Sequence, residues 1–545
     1  MTPRDTLILG AIQLGYTASL APSWNKFVNA AKSLESTQSQ KLHHFLTHNA
    51  QSAYGREYRY GSIRDVKTFQ DRVPIVDYDA LEPYIMRAAR GESNVLCPDP
   101  IKMFECSSGS TSATKLIPYT DGFLSEFSAA TNAWLFNIFS QNLSLMGTQS
   151  YWSVSPSARE RGCTEGGIPV GFEDDTEYFS PIGRWALRKM MAVPGTVARI
   201  HDMDAWRRTT ALHLLRAHRL GFISIWSPTF LTLMMGYIEE ELDNLLTELD
   251  PVRAGSIRAA LDTHGQLVGQ AIWPRLGLIS CWTDGYAKTY VPGLRRWFPT
   301  TPIQSKGLLA TEGVVSIPLQ GAAHGEFTNL LNAGALASRS HFFEFIDLDH
   351  PDARPKLAHE LVAGANYSPL LTTANGFARY HLKDTVECAG WQMGLPFIRF
   401  SGKLDKTSDL CGEKLTAGMV DQAFVTASSK TGIQLDFALL APVEDAPPFY
   451  EAYIESRAND AELDRLAQCL EDELLNAYHY KYCRDLGQLG PVRVVRVQNG
   501  WQTFESTLIG YGQRSGNIKP VHLDARTTWC NVYRSDVQAG EKQWN

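Results

Sequence analysis

The chain is 545 residues long, 44% hydrophobic and 20% charged, with a formal net charge of −7. That length exceeds one ordinary domain and leaves room for three or four; the charge balance excludes a broad basic field for nucleic acid or anionic membrane. Nine cysteines, an odd number spread from Cys97 to Cys530 with no CxxC pair, favour reduced thiols in a cytoplasmic compartment over a disulfide framework.

Residues 7–21 lean apolar but are interrupted by Gln13, Tyr16, Thr17 and Ser19. The run falls short of the ~20 apolar residues of a membrane span. One basic residue, Arg4, precedes it, so it reads as an amphipathic helix packed on its domain rather than a signal peptide. A helix is predicted over 32–53, ending near Tyr54-Gly55. Next comes Cys106-Ser107-Ser108-Gly109-Ser110-Thr111-Ser112-Ala113-Thr114-Lys115, with five hydroxyl residues and one glycine within 107–113. Such a loop can turn tightly and aim backbone N–H groups, hydroxyls and an ammonium at one spot, the chemistry of a phosphate cradle. Standing alone it could equally be a polar linker.

Thr120 and Asp121 are expected to cap a helix running to about 141. Residues 204–265 read as two or three helices broken near Ser227-Pro228 and Asp250-Pro251. Between 272 and 400, apolar runs separated by Gly, Pro and Asn predict strands, among them 276–282, 342–348 and 397–400. A boundary is expected at Ser401-Gly402-Lys403-Leu404-Asp405. After it come helix 413–428, strands 434–440 and 450–454, helix 460–477, strand 492–497 and helix 502–509, an α+β domain of about 140 residues. The expected domains are therefore 1–401 and 402–545.

Other signals carry no chemistry on their own. The stretch from Gly510 to Gly516 lacks the spacing and the βαβ context of a dinucleotide loop. His201, His213 and His218 are not at helical ligand spacing, and His324, His341, His350 and His359 fall in different elements, so no histidine metal site is expected. No G-x-S-x-G elbow is present. Trp134, Trp226, Phe230, Tyr286 and Tyr290 read as core, although Trp226 and Phe230 flank the Ser227-Pro228 break and are pocket candidates.

Three more clusters join the hydroxyl-rich loop: Ala310-Thr311-Glu312-Gly313, Tyr380-His381-Leu382-Lys383-Asp384, and Gln513-Arg514-Ser515-Gly516-Asn517-Ile518-Lys519-Pro520. In order and spacing they resemble the adenylate-forming superfamily. Lys115-Leu116-Ile117-Pro118, His341-Phe342-Phe343-Glu344-Phe345 and Leu489-Gly490-Pro491-Val492 resemble one branch of it, the Gretchen Hagen (auxin-responsive) acyl-acid amido synthetases. The resemblance spans about residues 30–525.

It implies a large mixed α/β N-terminal domain, with sheets flanked by helices, and a small mobile α+β C-terminal domain. It further implies a ligase that uses ATP and Mg²⁺ to adenylate a small carboxylic acid and then transfers the acyl group to an amine, usually that of an amino acid. By the same resemblance Ser107, Ser108, Gly109, Ser110, Thr111 and Lys115 hold phosphates, and Thr311 and Glu312 sit at the α-phosphate, with Glu312 on Mg²⁺. Asp384 accepts from the ribose hydroxyls, Lys519 bridges the two anions, and Asp405 is the hinge. No nucleic-acid or membrane partner is implied, and the oligomeric state stays open. The chain departs from the family pattern at Ser112-Ala113, at Leu308-Leu309, which replace the aromatic residue that often precedes the Glu312 motif, and at His381 and Lys383, which marks a divergent member. An acid–thiol ligase passing the acyl group to coenzyme A, and a non-catalytic nucleotide-binding relative, are the alternatives.

Overall fold

The computed structural model describes residues 3–107, 115–153, 162–171, 181–200, 202–321, 330, 332–404, 407–408, 410–411, 413–511, 513 and 518–534. The chain divides into two compact units. One comprises Met1–Trp226, Phe230–Thr283 and Arg295–Phe400; the other comprises Ser227–Thr229, Asp284–Leu294 and Ser401–Asn545.

In the first unit the apolar N-terminal stretch is part of a longer helix, Pro3–Ala31. It packs on the helix Asp121–Gln141, where Tyr16 meets Phe139 edge-on at 6.5 Å and Trp24 stacks on Phe136 at 5.7 Å. Among the described residues no helix is long and apolar enough to cross a membrane. The Asp121 helix begins as its sequence requires, with the Thr120 hydroxyl accepting the Phe123 N–H at 3.2 Å. The helix expected over 32–53 stops earlier, at Leu34–Asn49. Ser52 then starts a separate turn, Ala53–Glu57, its hydroxyl accepting from Gly55 N–H.

Four strands in chain order, Gln149–Trp152, Leu220–Ser224, Leu278–Ser280 and Ile303–Gln304, form a parallel sheet. The second of these corrects the expectation that residues 204–265 hold only helices. All five of its residues are buried, and a strand covered on both faces shows no alternation that would separate it from a helix segment. Gly221 is required there, since a Cβ would lie 2.2 Å from the Thr148 hydroxyl.

A larger sheet orders Ser316–Ile317, Gly334–Leu336, Leu395–Lys403, Asp384–Gln392, Asn366–Thr372, Phe342–Asp347 and Lys356–Leu357, with Tyr380–His381 also paired to Asn366–Thr372. A smaller sheet pairs Met103–Ser107 with Lys115–Tyr119 antiparallel, Ser107 opposite Lys115. The hydroxyl-rich loop therefore joins the two arms of a hairpin, although residues 108–114 lie outside the described ones.

The second unit packs helices Ala417–Thr431 and Asp460–Leu474 with a three-stranded sheet. In that sheet Phe437–Val443 runs antiparallel to Phe449–Glu455, which runs parallel to Arg493–Arg496. Gly432 ends the first helix at φ +73°. Asn459 and Glu462 form a reciprocal capping box on the second. Helices Tyr478–Asp485 and Gly500–Gly510 complete the unit. The segment 284–294 is also part of it: Tyr290 stacks on His522, whose Nδ1 lies 3.0 Å from an Asp421 carboxylate oxygen.

Candidate active site

The candidate site grows from the start of helix Tyr78–Ala89. Asp77 caps that helix weakly through Ala80 N–H and gives its other carboxylate oxygen to the Lys383 ammonium at 3.0 Å. The Lys383 hydrogen bond holds the Asp77 carboxyl below its usual range, against the opposing effect of partial burial. One residue on, the Tyr78 hydroxyl accepts the Leu116 N–H at 2.9 Å, and the Lys115 ammonium lies 5.3 Å from the centre of the Tyr78 ring. One residue back, Val76 forms a parallel bridge with Tyr380: Val76 N–H donates to Arg379 O, and His381 N–H to Val76 O.

Tyr380 then reaches the third segment, its hydroxyl donating to Glu312 Oε1 at 3.3 Å, while the Tyr119 hydroxyl donates to Thr311 O at 2.8 Å. Burial first, then the Glu312 carboxylate, pushes the Tyr380 phenol well above its usual range. It stays a neutral donor at any working pH. Lys115, Thr311, Glu312 and the 380–384 segment, predicted from remote stretches of sequence, thus meet around Tyr78, Tyr119 and Tyr380. The three tyrosines and Asp77 had no role assigned from sequence. The signal for Asp77 was its position as an N-cap just before an apolar-periodic run.

Two buried ion networks hold these segments in register. Glu126 accepts from the Lys41 ammonium at 3.0 Å, from His341 Nδ1 at 2.9 Å and from Ala374 N–H at 2.8 Å. Because His341 Nε2 accepts the Val314 N–H at 3.0 Å, the ring proton must sit on Nδ1. The backbone just after Glu312 is thereby tied to the Asp121 helix. Burial alone would raise the Glu126 carboxyl; the Lys41 ammonium and the His341 and Ala374 donors outweigh it and leave it below the usual range. The second network is the Arg379–Glu344 pair, with side chains 4% and 1% exposed. Asn375 adds a bond from its side-chain amide to Pro118 O at 3.0 Å, linking the Lys115 strand to the turn before Tyr380.

The remaining predicted residues fall as follows. Asp384 is 2% exposed, with its backbone carbonyl accepting the Ser368 hydroxyl at 2.7 Å. Ser107 ends its strand; Ser108, Gly109, Ser110, Thr111 and Asp405 lie outside the described residues. Lys519 is exposed in the second unit, between buried Ile518 and Pro520. Phe230 packs on Trp206 at 5.9 Å.

Trp226 stands in less ordinary company. Its ring centre is 5.6 Å from that of Trp282 and 5.1 Å from the Lys306 ammonium. Lys306 is buried, 5.2 Å from the Trp134 ring and 5.7 Å from that of Trp152, and it donates to Ser224 Oγ at 2.5 Å. Ser280 Oγ, Thr283 Oγ1 and Gln304 Nε2 are also buried there, without a hydrogen-bond partner among the described residues. Trp152, Ser224, Ser280 and Gln304 end the four parallel strands, and Trp226, Trp282, Thr283 and Lys306 follow within three residues, while Trp134 comes from the Asp121 helix; the carboxyl ends of such strands are where α/β sheets bind ligands. Lys306, too, had no role assigned from sequence; its signal was a lone lysine two positions past the strand Ile303–Gln304.

Three segments of the chain match the three domains of one family: the GH3 family N-terminal domain over residues 23–251, the central domain over 334–403 and the C-terminal domain over 419–526. The chain is 22% identical to an indole-3-acetic acid-amido synthetase (GH3.3) of Arabidopsis thaliana, covering 88% of this chain and 87% of that one. It is also 22% identical to a jasmonoyl–L-amino acid synthetase (JAR6) of Nicotiana attenuata, covering 91% and 92%. Among solved structures it is similar in fold to the AtGH3.15 acyl acid amido synthetase in complex with 2,4-DB. The TM-score is 0.82 at 17% identity, over 95% of this chain and 96% of that one. With all three of its domains matched in order, the chain belongs to the GH3 family and has the mixed α/β architecture of the acyl acid amido synthetases.

Proposed function

We propose that this chain is an ATP-dependent acyl-acid amido synthetase. It adenylates a small carboxylic acid, releases pyrophosphate, and passes the acyl group to the amine of an amino acid, leaving an amide and AMP. The observation that carries this reading is the meeting of Lys115, Thr311-Glu312, Tyr380 and Lys383 around Asp77 and the tyrosines at 78, 119 and 380. Membership of a family whose relatives are named as amido synthetases supports it.

ATP is a substrate here, and the chemistry asked of the protein is mostly the management of charge. A carboxylate oxygen must approach a phosphorus surrounded by anionic oxygens, so cations and hydrogen-bond donors have to be in place beforehand. Lys115, at the end of the polar hairpin loop, offers one ammonium to the phosphates. Glu312 offers a hard oxygen ligand, and the neutral Tyr380 hydroxyl fixes one of its two oxygens, which fits a Mg²⁺ site. Mg²⁺, when bound, would neutralise phosphate charge. Lys519, brought in by the C-terminal domain moving about the segment near Asp405, would supply the cation between the carboxylate and the innermost phosphate. Asp384 would accept from the ribose. The acid would lie toward Trp226 and Phe230, where the buried hydroxyls of Ser280 and Thr283 and the amide of Gln304 offer polar contacts at the sheet's carboxyl edge. Nine free thiols fit a reducing, cytoplasmic setting.

The test is acid-dependent exchange of labelled pyrophosphate into ATP, followed by product analysis with amino acids and coenzyme A side by side. An amide with AMP is the expected product. A thioester alone would replace the amide reading with an acid–thiol ligase. No exchange with any of a broad panel of acids would leave a nucleotide-binding protein without the chemistry.

A further inference from the structure

In the second unit, two thiols and a carboxylate come together. Strands Thr407–Ser408 and Leu415–Thr416 pair as a short hairpin, and Cys411 and Glu413 lie in its loop. Cys483 is on the helix Tyr478–Asp485. Glu413 is fully buried and held in place on both oxygens: Leu410 N–H donates to Oε1 at 2.7 Å, Cys411 N–H to Oε2 at 2.8 Å, and the Tyr450 hydroxyl also bonds Oε1. Cys411 Sγ stands 3.5 Å from Glu413 Oε2, and Cys483 Sγ stands 3.5 Å from Cys411 O. The two sulfurs and the carboxylate oxygen all lie within 4.8 Å of one another.

From these distances we infer that Cys411, Glu413 and Cys483 form a site for a tetrahedral, thiophilic divalent cation of the Zn²⁺ type. With Zn–S bonds of about 2.3 Å and a Zn–O bond of about 2.1 Å, tetrahedral geometry sets the S···O edge near ~3.6 Å and the S···S edge near ~3.8 Å. The observed S···O separation of 3.5 Å already matches the first, and the two sulfurs lie within 4.8 Å of each other. Two thiolates and one carboxylate are a ligand set that selects Zn²⁺ over Mg²⁺ or Ca²⁺. The N–H donors on Glu413 act as outer supports that aim its free lone pairs. Water takes the fourth position on the side of half-buried Cys411. On binding, two S–H bonds break, two metal–sulfur bonds and one metal–oxygen bond form, two protons leave to solvent, and no electron moves. The ion ties the hairpin 407–416 to the helix Tyr478–Asp485.

The test uses the full chain, reduced, stripped with a chelator and titrated anaerobically with Co²⁺. One ion per chain is expected, with a thiolate-to-cobalt charge-transfer band, about two protons released, and displacement by Zn²⁺. Cys411→Ser and Cys483→Ser should each lose the band, while Cys469→Ser keeps it. If a serine variant fails to fold, alkylation of the wild type read by peptide mass should show Cys411 and Cys483 protected by Zn²⁺. No band, a band that survives both variants, equal alkylation with and without Zn²⁺, or a Cys411–Cys483 disulfide in place of metal uptake would each overturn the site. None of these readouts involves adenylation, so the failure of the enzymatic reading and the failure of this site can be told apart.

Discussion

Replacing Arg379 by methionine probes how far the candidate site depends on buried charge. The guanidinium meets Glu344 at two points, Nε to Oε2 and Nη2 to Oε1, each 3.0 Å. Its Nη1 also donates to Gln70 O at 2.8 Å and to Val73 O at 2.7 Å. In the variant Glu344 retains only the Gln70 side-chain amide, at 2.9 Å, and two backbone carbonyls lose a donor. Breaking a buried pair from one side costs about 3–5 kcal/mol, chiefly from the charge left behind. Arg379→Met combined with Glu344→Leu removes that charge and should recover at least about 2 kcal/mol of the loss. Urea unfolding midpoints followed by tryptophan fluorescence give both numbers.

The loss should also depend on pH. Burial already pushes the Glu344 carboxyl up, opposed by Arg379; without the arginine it rises further. A carboxyl whose folded value lies above its unfolded one binds more protons when folded, so stability falls as pH rises between the two values. Arg379→Met should therefore be hurt less at pH 5 than at pH 8. A loss under about 1 kcal/mol, or one independent of pH, would refute the view that this pair holds the segment by satisfied charge.

Three further outcomes are expected. Tyr380→Phe removes the hydroxyl on Glu312; stability should change by no more than about 1 kcal/mol, while the Mg²⁺ concentration for half-maximal pyrophosphate exchange should rise, and an unchanged dependence would release Glu312 from the metal. Lys519→Ala should cut exchange by about 100-fold or more with ATP binding mostly kept; equal rates would remove Lys519 from the mechanism. Glu126 has a depressed folded value, so its contribution is present above the ordinary unfolded value of a glutamate and is lost as pH falls through the folded one; in acid unfolding, Glu126→Gln should start less stable at pH 7 and lose less between pH 5 and 3 than the wild type.

Much of the fold could be read from local rules, and the gaps have physical causes. Thr120 capping the Asp121 helix, strand 342–348 seen as Phe342–Asp347, and the helix–strand order after residue 413 all rest on caps, turns and periodicity, which act over a few residues. Leu220–Ser224 was missed because its burial comes from neighbours on both faces, which a window of sequence does not contain. The motif residues of the site were legible as chemistry. The tyrosines between them were not, because a buried phenol acquires a role only from the partner its hydroxyl meets. Lys306 was passed over for a related reason: a lysine becomes a buried cation only once tryptophans at 134, 152 and 226 fold around it.

The two buried networks divide the work of positioning. Glu126 reaches the Glu312 segment through His341 and Val314, and it holds the turn at Ala374 directly. Arg379 and Glu344 hold the next residues of that turn, and the Arg379 carbonyl in turn receives Val76 N–H beside Asp77. A charge network costs desolvation that an apolar core would not, so its retention in two places argues for placement rather than for stability. Each joins segments separated by more than 200 residues, with directional bonds that hydrophobic packing cannot supply. This predicts a non-additive pair: Glu126→Gln and Arg379→Met both loosen the turn 374–380, so once one has displaced Tyr380 the other has less exchange activity left to remove. A double variant whose loss of exchange equals the product of the single losses would show that the two networks act on separate parts of the site.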